Sequence, residues 1–130
     1  MNKLKEEAEN WMRDKYSYFS KNILFDTYQK SAIETAIYPD QYKILYPALG
    51  LAAEAGEVAN KVKKLARDGE ASLPENWREQ VAAEIGDVLW YCAALAHDLD
   101  MSLSVIAAHN KEKLASRKQR GKLSGNGDDR

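Results

Sequence analysis

The chain has 130 residues, and its 19 basic and 20 acidic residues give a formal net charge of −1. This length fits one domain, and the balanced charge excludes a general electrostatic affinity for nucleic acid or for a membrane surface. The single cysteine, Cys92, excludes an internal disulfide, and the first residues lack the apolar segment of a signal peptide. We therefore expect a cytoplasmic protein that neither spans a membrane nor binds nucleic acid stably.

Helical periodicity dominates the chain, because alternating strand patterns are weak and only three prolines occur. A charged first helix is predicted over residues 3–20. Asp26 or Thr27 would cap a second helix that ends near Tyr38-Pro39, since proline disfavours a helical conformation in the residue before it.

The third and fourth predicted helices are separated by a short loop. Pro47 fits the first turn of the third helix, which is expected to end near Asp68-Gly69. The fourth helix is predicted over residues 74–100. Because the loop is short, the two helices are expected to pack side by side and antiparallel.

Each of these two helices carries a pair of acids, three residues apart, in an otherwise apolar stretch. Residues 52–58 read Ala-Ala-Glu-Ala-Gly-Glu-Val, and residues 82–88 read Ala-Ala-Glu-Ile-Gly-Asp-Val. A helix that is apolar nearly all round is predicted to be buried, where unpaired charge costs several kcal/mol per ion. The sequence therefore predicts that four carboxylates meet in a core: Glu54, Glu57, Glu84 and Asp87.

A divalent metal ion is the expected compensation for these charges. Residues three apart lie on the same side of a helix, so each pair could hold the ion from one direction. Oxygen ligands alone favour Mg²⁺, with Mn²⁺ as the alternative, whereas a di-iron bundle would require the Glu-x-x-His pairs that neither His97 nor His109 supplies. The glycine beside each pair, Gly56 or Gly86, predicts a close approach at that point.

A fifth helix, capped by Asp100 or Ser102, is predicted to extend to about residue 120. Between residues 111 and 122 it has six basic residues and one acid. Three of its polar residues share a face and could bind a polyphosphate, although a solvated helix end rich in cations would have the same composition. They are Asn110, Lys113 and Arg117.

Aromatic residues near the acids are candidates for contact with a base. Tyr91 lies one turn beyond Asp87 and could stack on a base, or it could be an ordinary core tyrosine. Trp90 points elsewhere around the helix and is predicted to lie in the core or at an interface. Trp77, Tyr28 and Tyr38 are further candidates among which the sequence does not choose.

These motifs resemble a known family. Glu54-x-x-Glu57, followed after 26 residues by Glu84-x-x-Asp87, resembles the signature of the MazG-like all-α nucleoside triphosphate pyrophosphohydrolases. Residues 110–117 look like the basic motif of that family, and residues 25–29 and 49–51 resemble the opening of its small single-domain members.

The resemblance implies a fold and an assembly. The fold is an all-α bundle of four to five helices, assembled as a homodimer or homotetramer. A MazG-like pyrophosphohydrolase domain would span residues 25–121, with an N-terminal helical extension over residues 1–24 and a disordered tail over residues 122–130.

It also implies an activity, namely the Mg²⁺-dependent hydrolysis of an NTP or dNTP to the nucleoside monophosphate and pyrophosphate. The four acids would bind metal, and Glu54 or Glu57 would orient the attacking water. The substrate-binding residues would be Asn110, Lys113, Arg117 and Tyr91.

Three alternatives remain open at the level of the sequence. The chain could hydrolyse phosphoribosyl-ATP, or it could be a helical module that binds nucleotide without turnover. It could also be a structural helical oligomer whose acids pair with lysines such as Lys61 and Lys64.

Overall fold

A computed structural model describes residues 23–124, and within that range every regular element is helical. Four α-helices follow one another: α1 (Phe25–Ile33), α2 (Leu45–Asp68), α3 (Trp77–Asp98) and α4 (Leu103–Gln119). Short 3-10 turns at Asp40–Tyr42 and Glu70–Ser72 lie in the two longer connections. The all-α prediction is confirmed for this part of the chain.

Two of the predicted segments fall mainly outside the described residues. They are the helix over residues 3–20, which lies wholly outside them, and the tail over residues 122–130, of which only residues 122–124 are described. The proposed domain limits therefore stay a prediction. None of the described helices is long and apolar enough to cross a membrane.

Helices α2 and α3 form an antiparallel hairpin and share the most extensive helix contact of the described chain. The direction follows from the pairs that touch, because Gly50 faces Tyr91 near one end whereas Lys61 pairs with Glu84 towards the other. Helix α1 lies against α3 and α4. The acid-bearing segments of α2 and α3 are thus neighbours, as their short connection predicted.

Several predicted helix ends are confirmed. Pro47 lies in the first turn of α2, and Gly69, with φ of 75°, follows the last residue of that helix. The Ser102 hydroxyl caps α4 by accepting a hydrogen bond from the Val105 backbone N–H at 3.2 Å. These residues act locally, which is why the sequence alone located them.

The predicted end of the second helix is wrong, because α1 stops at Ile33 rather than near Tyr38. The Ala32 carbonyl there accepts hydrogen bonds from the backbone N–H and hydroxyl of Thr35 and from the indole N–H of Trp90. A threonine hydroxyl that competes for backbone groups favours a turn over a further helical turn. Residues 34–44 consequently form a connection that crosses towards α2.

Two polar residues of α1 fasten it to the rest of the bundle. Asp26 or Thr27 was predicted to cap this helix, but no side chain caps it, and the Asp26 carboxylate accepts from the Ser104 backbone N–H at 3.3 Å and hydroxyl at 2.9 Å. The buried Gln29 amide donates to the carbonyls of Ala93 at 3.2 Å and Met101 at 3.1 Å, and it accepts from the Leu103 N–H at 2.9 Å. One side chain thereby joins α1, α3 and the start of α4.

Gln29→Ala is expected to lower the free energy of unfolding by about 2–4 kcal/mol, because three hydrogen bonds are lost and buried backbone groups remain unsatisfied. Urea unfolding followed by helical circular dichroism measures this loss. Lys30→Ala, an exposed neighbour on the same helix, is the control and should change stability little. A loss below about 0.5 kcal/mol for Gln29→Ala would contradict the role given to this side chain.

The core of the described chain is small. Ala32, Ala93, Ala96 and Leu103 are buried together near the α1–α3 contact. By contrast, five large aliphatic side chains of α2 and α3 are between 41 and 64 % exposed, so the prediction that both acid-bearing helices are buried is wrong for a single chain. These exposed residues are Leu45, Leu49, Val62, Ile85 and Leu89.

Candidate metal centre and adjoining cavity

Three carboxylates from the helical hairpin converge on one point. Glu54 of α2 and Glu84 and Asp87 of α3 each offer an oxygen, and these oxygens lie within 4.8 Å of one another. With bonds of about 2.1 Å, oxygens around a Mg²⁺ ion are about 3.0 Å apart when adjacent and about 4.2 Å apart when opposite. Side-chain rotation that contracts the group to these spacings would let all three oxygens share one hard cation, and an all-oxygen donor set is the one that the predicted metal prefers.

Glu57, the fourth predicted ligand, does not join this group and is exposed. A step of three residues leaves two side chains about 60° apart around a helix. With Glu54 directed at α3, Glu57 is consequently turned away from the convergence point. Its charge still contributes to raising the Glu54 pKa, so the two acids remain electrostatically coupled.

The group concentrates negative charge. Desolvation raises the Glu54 pKa above its ordinary value, and the charges of Asp87 and Glu84 raise it further. Glu84 is paired with Lys61 at 3.2 Å, as the structural alternative predicted for that lysine. Within residues 23–124, however, neither Glu54 nor Asp87 forms an ion pair with a lysine or arginine, so lysine pairing accounts for one acid of the three.

The raised Glu54 pKa predicts an unusual dependence of stability on pH. Without metal, folding favours the protonated carboxyl, so Glu54 contributes stability below its ordinary pKa of 4.5 that is lost as pH rises through the raised value. A bound cation reverses the sign, because it requires the charged form. The stabilisation by Mg²⁺ should therefore grow with pH across the same window.

Thermal unfolding measured from pH 4 to 7 in EDTA and in Mg²⁺ checks this prediction. The effect of Glu54 is the difference in melting temperature between the unaltered chain and Glu54→Gln at each pH. The comparison is needed because other acids affect stability in the opposite direction, such as Asp26, whose pKa is lowered mainly by the Ser104 side chain. If the two proteins show parallel pH profiles without metal, Glu54 does not carry the effect.

A cavity of about 440 Å³ adjoins the carboxylates. Its volume lies within the range of about 300–1,000 Å³ that is typical of small-molecule sites. Glu54 and Asp87 belong both to the carboxylate group and to the cavity wall. The full lining consists of Thr35, Ile37, Tyr38, Tyr46, Glu54, Asp87, Trp90 and Tyr91.

Aromatic rings form much of this wall. Tyr38 stacks on Tyr46, with ring centroids 5.0 Å apart and planes at 20°, and Tyr91 lies 6.3 Å from Tyr46. Trp90 meets Tyr91 edge to face at 4.9 Å and donates its indole N–H to the Thr35 hydroxyl at 2.8 Å. The sequence selected Tyr91. Its assignment of Trp90 to the core is also supported, because Trp90 packs against the buried cluster and in addition lines the cavity.

A glycine explains how Tyr91 reaches this position. A methyl group added at Gly50 would overlap the Tyr91 ring, whereas one added at Gly56 or Gly86 would have no atom within 4 Å. The expected close approach at the two glycines beside the acids is therefore wrong within a single chain. It occurs instead at Gly50, one turn before Glu54.

The three polar residues predicted to bind phosphate lie on α4, which packs against α1 and α3. Asn110 and Lys113 are exposed, whereas Arg117 is only 5 % exposed. None of these three lines the cavity within the described chain. Their contact with a ligand stays a prediction.

Comparison with known protein families identifies the family of this chain. The profile of the MazG nucleotide pyrophosphohydrolase domain matches residues 46–121. The chain belongs to the MazG family. The match covers nearly all of α2 and the whole of α3 and α4, and it includes the three converging carboxylates, whereas α1 and residues 34–44 precede it.

This MazG chain is also similar to the Gene 37 protein of Mycobacterium phage L5. The two are 48 % identical over 111 residues, which cover 81 % of this chain and 97 % of the phage protein. No solved structure matches. The likeness to the phage protein extends over most of both chains, so the similarity is not confined to the acid motifs.

Proposed function

We propose that this chain hydrolyses an NTP or dNTP to the nucleoside monophosphate and pyrophosphate with Mg²⁺ as cofactor. The observation that carries the proposal is that Glu54 and Asp87 are shared between the three-carboxylate group and an aromatic cavity. A ligand bound there would place its charged end at the cation and a flat, apolar end among the rings. A nucleoside polyphosphate has both parts.

Each chemical role has a candidate in the chain. Glu54, Glu84 and Asp87 would hold Mg²⁺, or Mn²⁺, which neutralises phosphate charge and lowers the pKa of bound water when present. Glu54 or Glu57 would orient the attacking water. Glu57 is a candidate for this role because it is exposed and lies outside the group of three carboxylates on the same helix as Glu54, so its carboxylate is available to accept a hydrogen bond from water. The bond between the α- and β-phosphates breaks, and pyrophosphate leaves.

The substrate would be held at both ends. Tyr91 would contact the nucleoside, and stacking of the base on its ring would contribute about 1–3 kcal/mol to the binding free energy. Asn110, Lys113 and Arg117 would bind the phosphates. The exposed positions of Asn110 and Lys113 support this role for those two residues, whereas Arg117 would have to act from a buried position.

We also propose that the chain forms a homodimer or homotetramer, because exposed large apolar side chains mark interaction surfaces. Sedimentation should then give a mass two or four times 14.7 kDa. Leu49→Glu, at a side chain that is 64 % exposed, is expected to shift the chain towards the monomer. Lys63→Glu on the same helix is the control. A monomeric mass for the unaltered chain would contradict the assembly.

The test of the activity is a panel of NTPs, dNTPs and phosphoribosyl-ATP, incubated with Mg²⁺ and followed by product identification. Monophosphate and pyrophosphate are the expected products from one or more nucleoside triphosphates. Release of orthophosphate would contradict the reaction class. Preferential turnover of phosphoribosyl-ATP would indicate that alternative substrate, and tight nucleotide binding without turnover would indicate a binding module.

A further inference from the structure

The connection between α1 and α2 contains an unusual turn. Ile44 has φ of 65° and ψ of −53°, and the Leu45 N–H donates to the Lys43 carbonyl at 2.7 Å across it. This is a γ-turn with positive φ, which is rare and strained, and a β-branched residue is poorly suited to it. Such a conformation persists only where surrounding contacts hold it.

Asp98, the last residue of α3, supplies that contact. One of its carboxylate oxygens, Oδ2, accepts a hydrogen bond from the Ile44 backbone N–H at 2.8 Å and another from the Tyr38 hydroxyl at 2.9 Å. An acid at the C-terminal end of a helix is unfavourable beside the negative end of the helix dipole. The two donors compensate the Oδ2 oxygen of this carboxylate, and the carboxylate in turn holds Tyr38 and Ile44 of the connection.

The residues fixed in this way form one side of the cavity. Tyr38 stacks on Tyr46, and both rings line the cavity together with Ile37, which is 94 % exposed. Burial, followed by the hydrogen bond to Asp98 and its charge, raises the pKa of Tyr38 to about 12. The tyrosine therefore remains a neutral hydrogen-bond donor throughout the physiological range.

We propose that Asp98 is a positioning residue that holds residues 34–44 against the cavity and thereby sets how tightly the nucleoside part of the ligand binds. This role rests on the proposed function, since it requires a nucleotide in the cavity. Asp98 touches the wall and not the three carboxylates. Its removal should consequently weaken contacts to the nucleoside while it leaves the polyphosphate end unaffected.

The experiment compares two ligands in the presence of Mg²⁺ by calorimetry. One is the set of α,β-methylene analogues of the four common dNTPs, and the other is inorganic tripolyphosphate, which lacks a nucleoside. For Asp98→Ala we expect the Kd of the best analogue to rise by about 10-fold or more, which corresponds to a loss of roughly 1.4 kcal/mol of binding free energy. The tripolyphosphate Kd should change by less than about 2-fold.

Three further variants make the result specific. Asp98→Asn keeps an oxygen that can accept from Tyr38 and Ile44, and it should restore most of the analogue affinity. Tyr38→Phe keeps the ring but loses one hydrogen bond, so it should show a smaller loss than Asp98→Ala. Asp40→Ala removes an exposed carboxylate that pairs with Lys43 in the same connection, and it should bind both ligands normally.

Analogue binding that is unchanged in Asp98→Ala would overturn the positioning role alone. Equal weakening of analogue and tripolyphosphate would also overturn it, because Asp98 would then act on the whole fold. Failure of the unaltered chain to bind any analogue would overturn both this role and the proposed function. Specific binding with the expected variant pattern but without hydrolysis would contradict only the proposed function.

Discussion

Asp87→Asn is expected to lower kcat/KM by at least about 100-fold and to abolish the stabilisation by Mg²⁺. The amide is nearly the same size as the carboxylate, but it removes one of the charges that converge with Glu54 and Glu84. Loss of groups that merely support a metal ligand costs about 10–100-fold, so loss of a ligand itself should cost more. Steady-state kinetics and the melting temperature as a function of Mg²⁺ concentration measure the two effects.

Glu75→Gln, at an exposed acid just before α3, is the control and should retain both properties. Glu57→Gln separates two roles for the fourth acid. If Glu57 only orients water, this variant should lose turnover and keep the rise in melting temperature with Mg²⁺. An Asp87→Asn protein that still gains stability from Mg²⁺ as the unaltered chain does would contradict the proposed metal centre.

Gly50→Ala is expected to displace the Tyr91 ring from the cavity wall, because the added methyl group would overlap that ring. Forcing extra volume into a packed contact costs about 1–3 kcal/mol of stability. The loss of one stacking surface should raise KM about 10-fold, in keeping with the roughly 1–3 kcal/mol that a base–aromatic contact contributes. Urea unfolding and steady-state kinetics measure these changes.

Gly56→Ala is the matched control on the same helix, since nothing lies within 4 Å of its added methyl group. It should stabilise the chain by up to about 1 kcal/mol through helix propensity. A loss of stability that depends on protein concentration would instead locate Gly56 at a subunit contact. If Gly50→Ala behaves like Gly56→Ala, the contact with Tyr91 does not constrain the cavity.

The sequence predicts best what depends on helical spacing. Glu54, Glu84 and Asp87 were located because two short segments repeat an acid pattern and a short loop brings their helices together. Gly69 and Ser102 were located because helix termination and capping are local. Residue spacing does not determine how far each helix is rotated about its own axis. Glu57 was therefore predicted to share the ion with the other three acids, whereas its carboxylate lies outside their group.

Residues 34–44 show where prediction from the sequence stops. The helical pattern of α1 continues past Ile33, but its end depends on Trp90, which is 58 residues from Ala32 in the chain. The turn at Ile44 depends on Asp98 in the same way. A contact between distant residues leaves no periodic signal in either segment. The sequence could therefore name Tyr91 and Tyr38 as candidates, but it could not predict how residues 34–44 complete the aromatic side of the cavity.

Glu54 and Asp87 belong both to the group of three carboxylates and to the cavity wall. In the proposed function they would face a cation and a nucleotide at once, and binding of the two would be a linked equilibrium. If the cation increases nucleotide affinity by some factor, nucleotide must increase cation affinity by the same factor. A nucleotide that fits the cavity poorly would then increase the affinity for the cation only slightly. Discrimination between nucleotides would therefore depend partly on how often the metal centre is occupied.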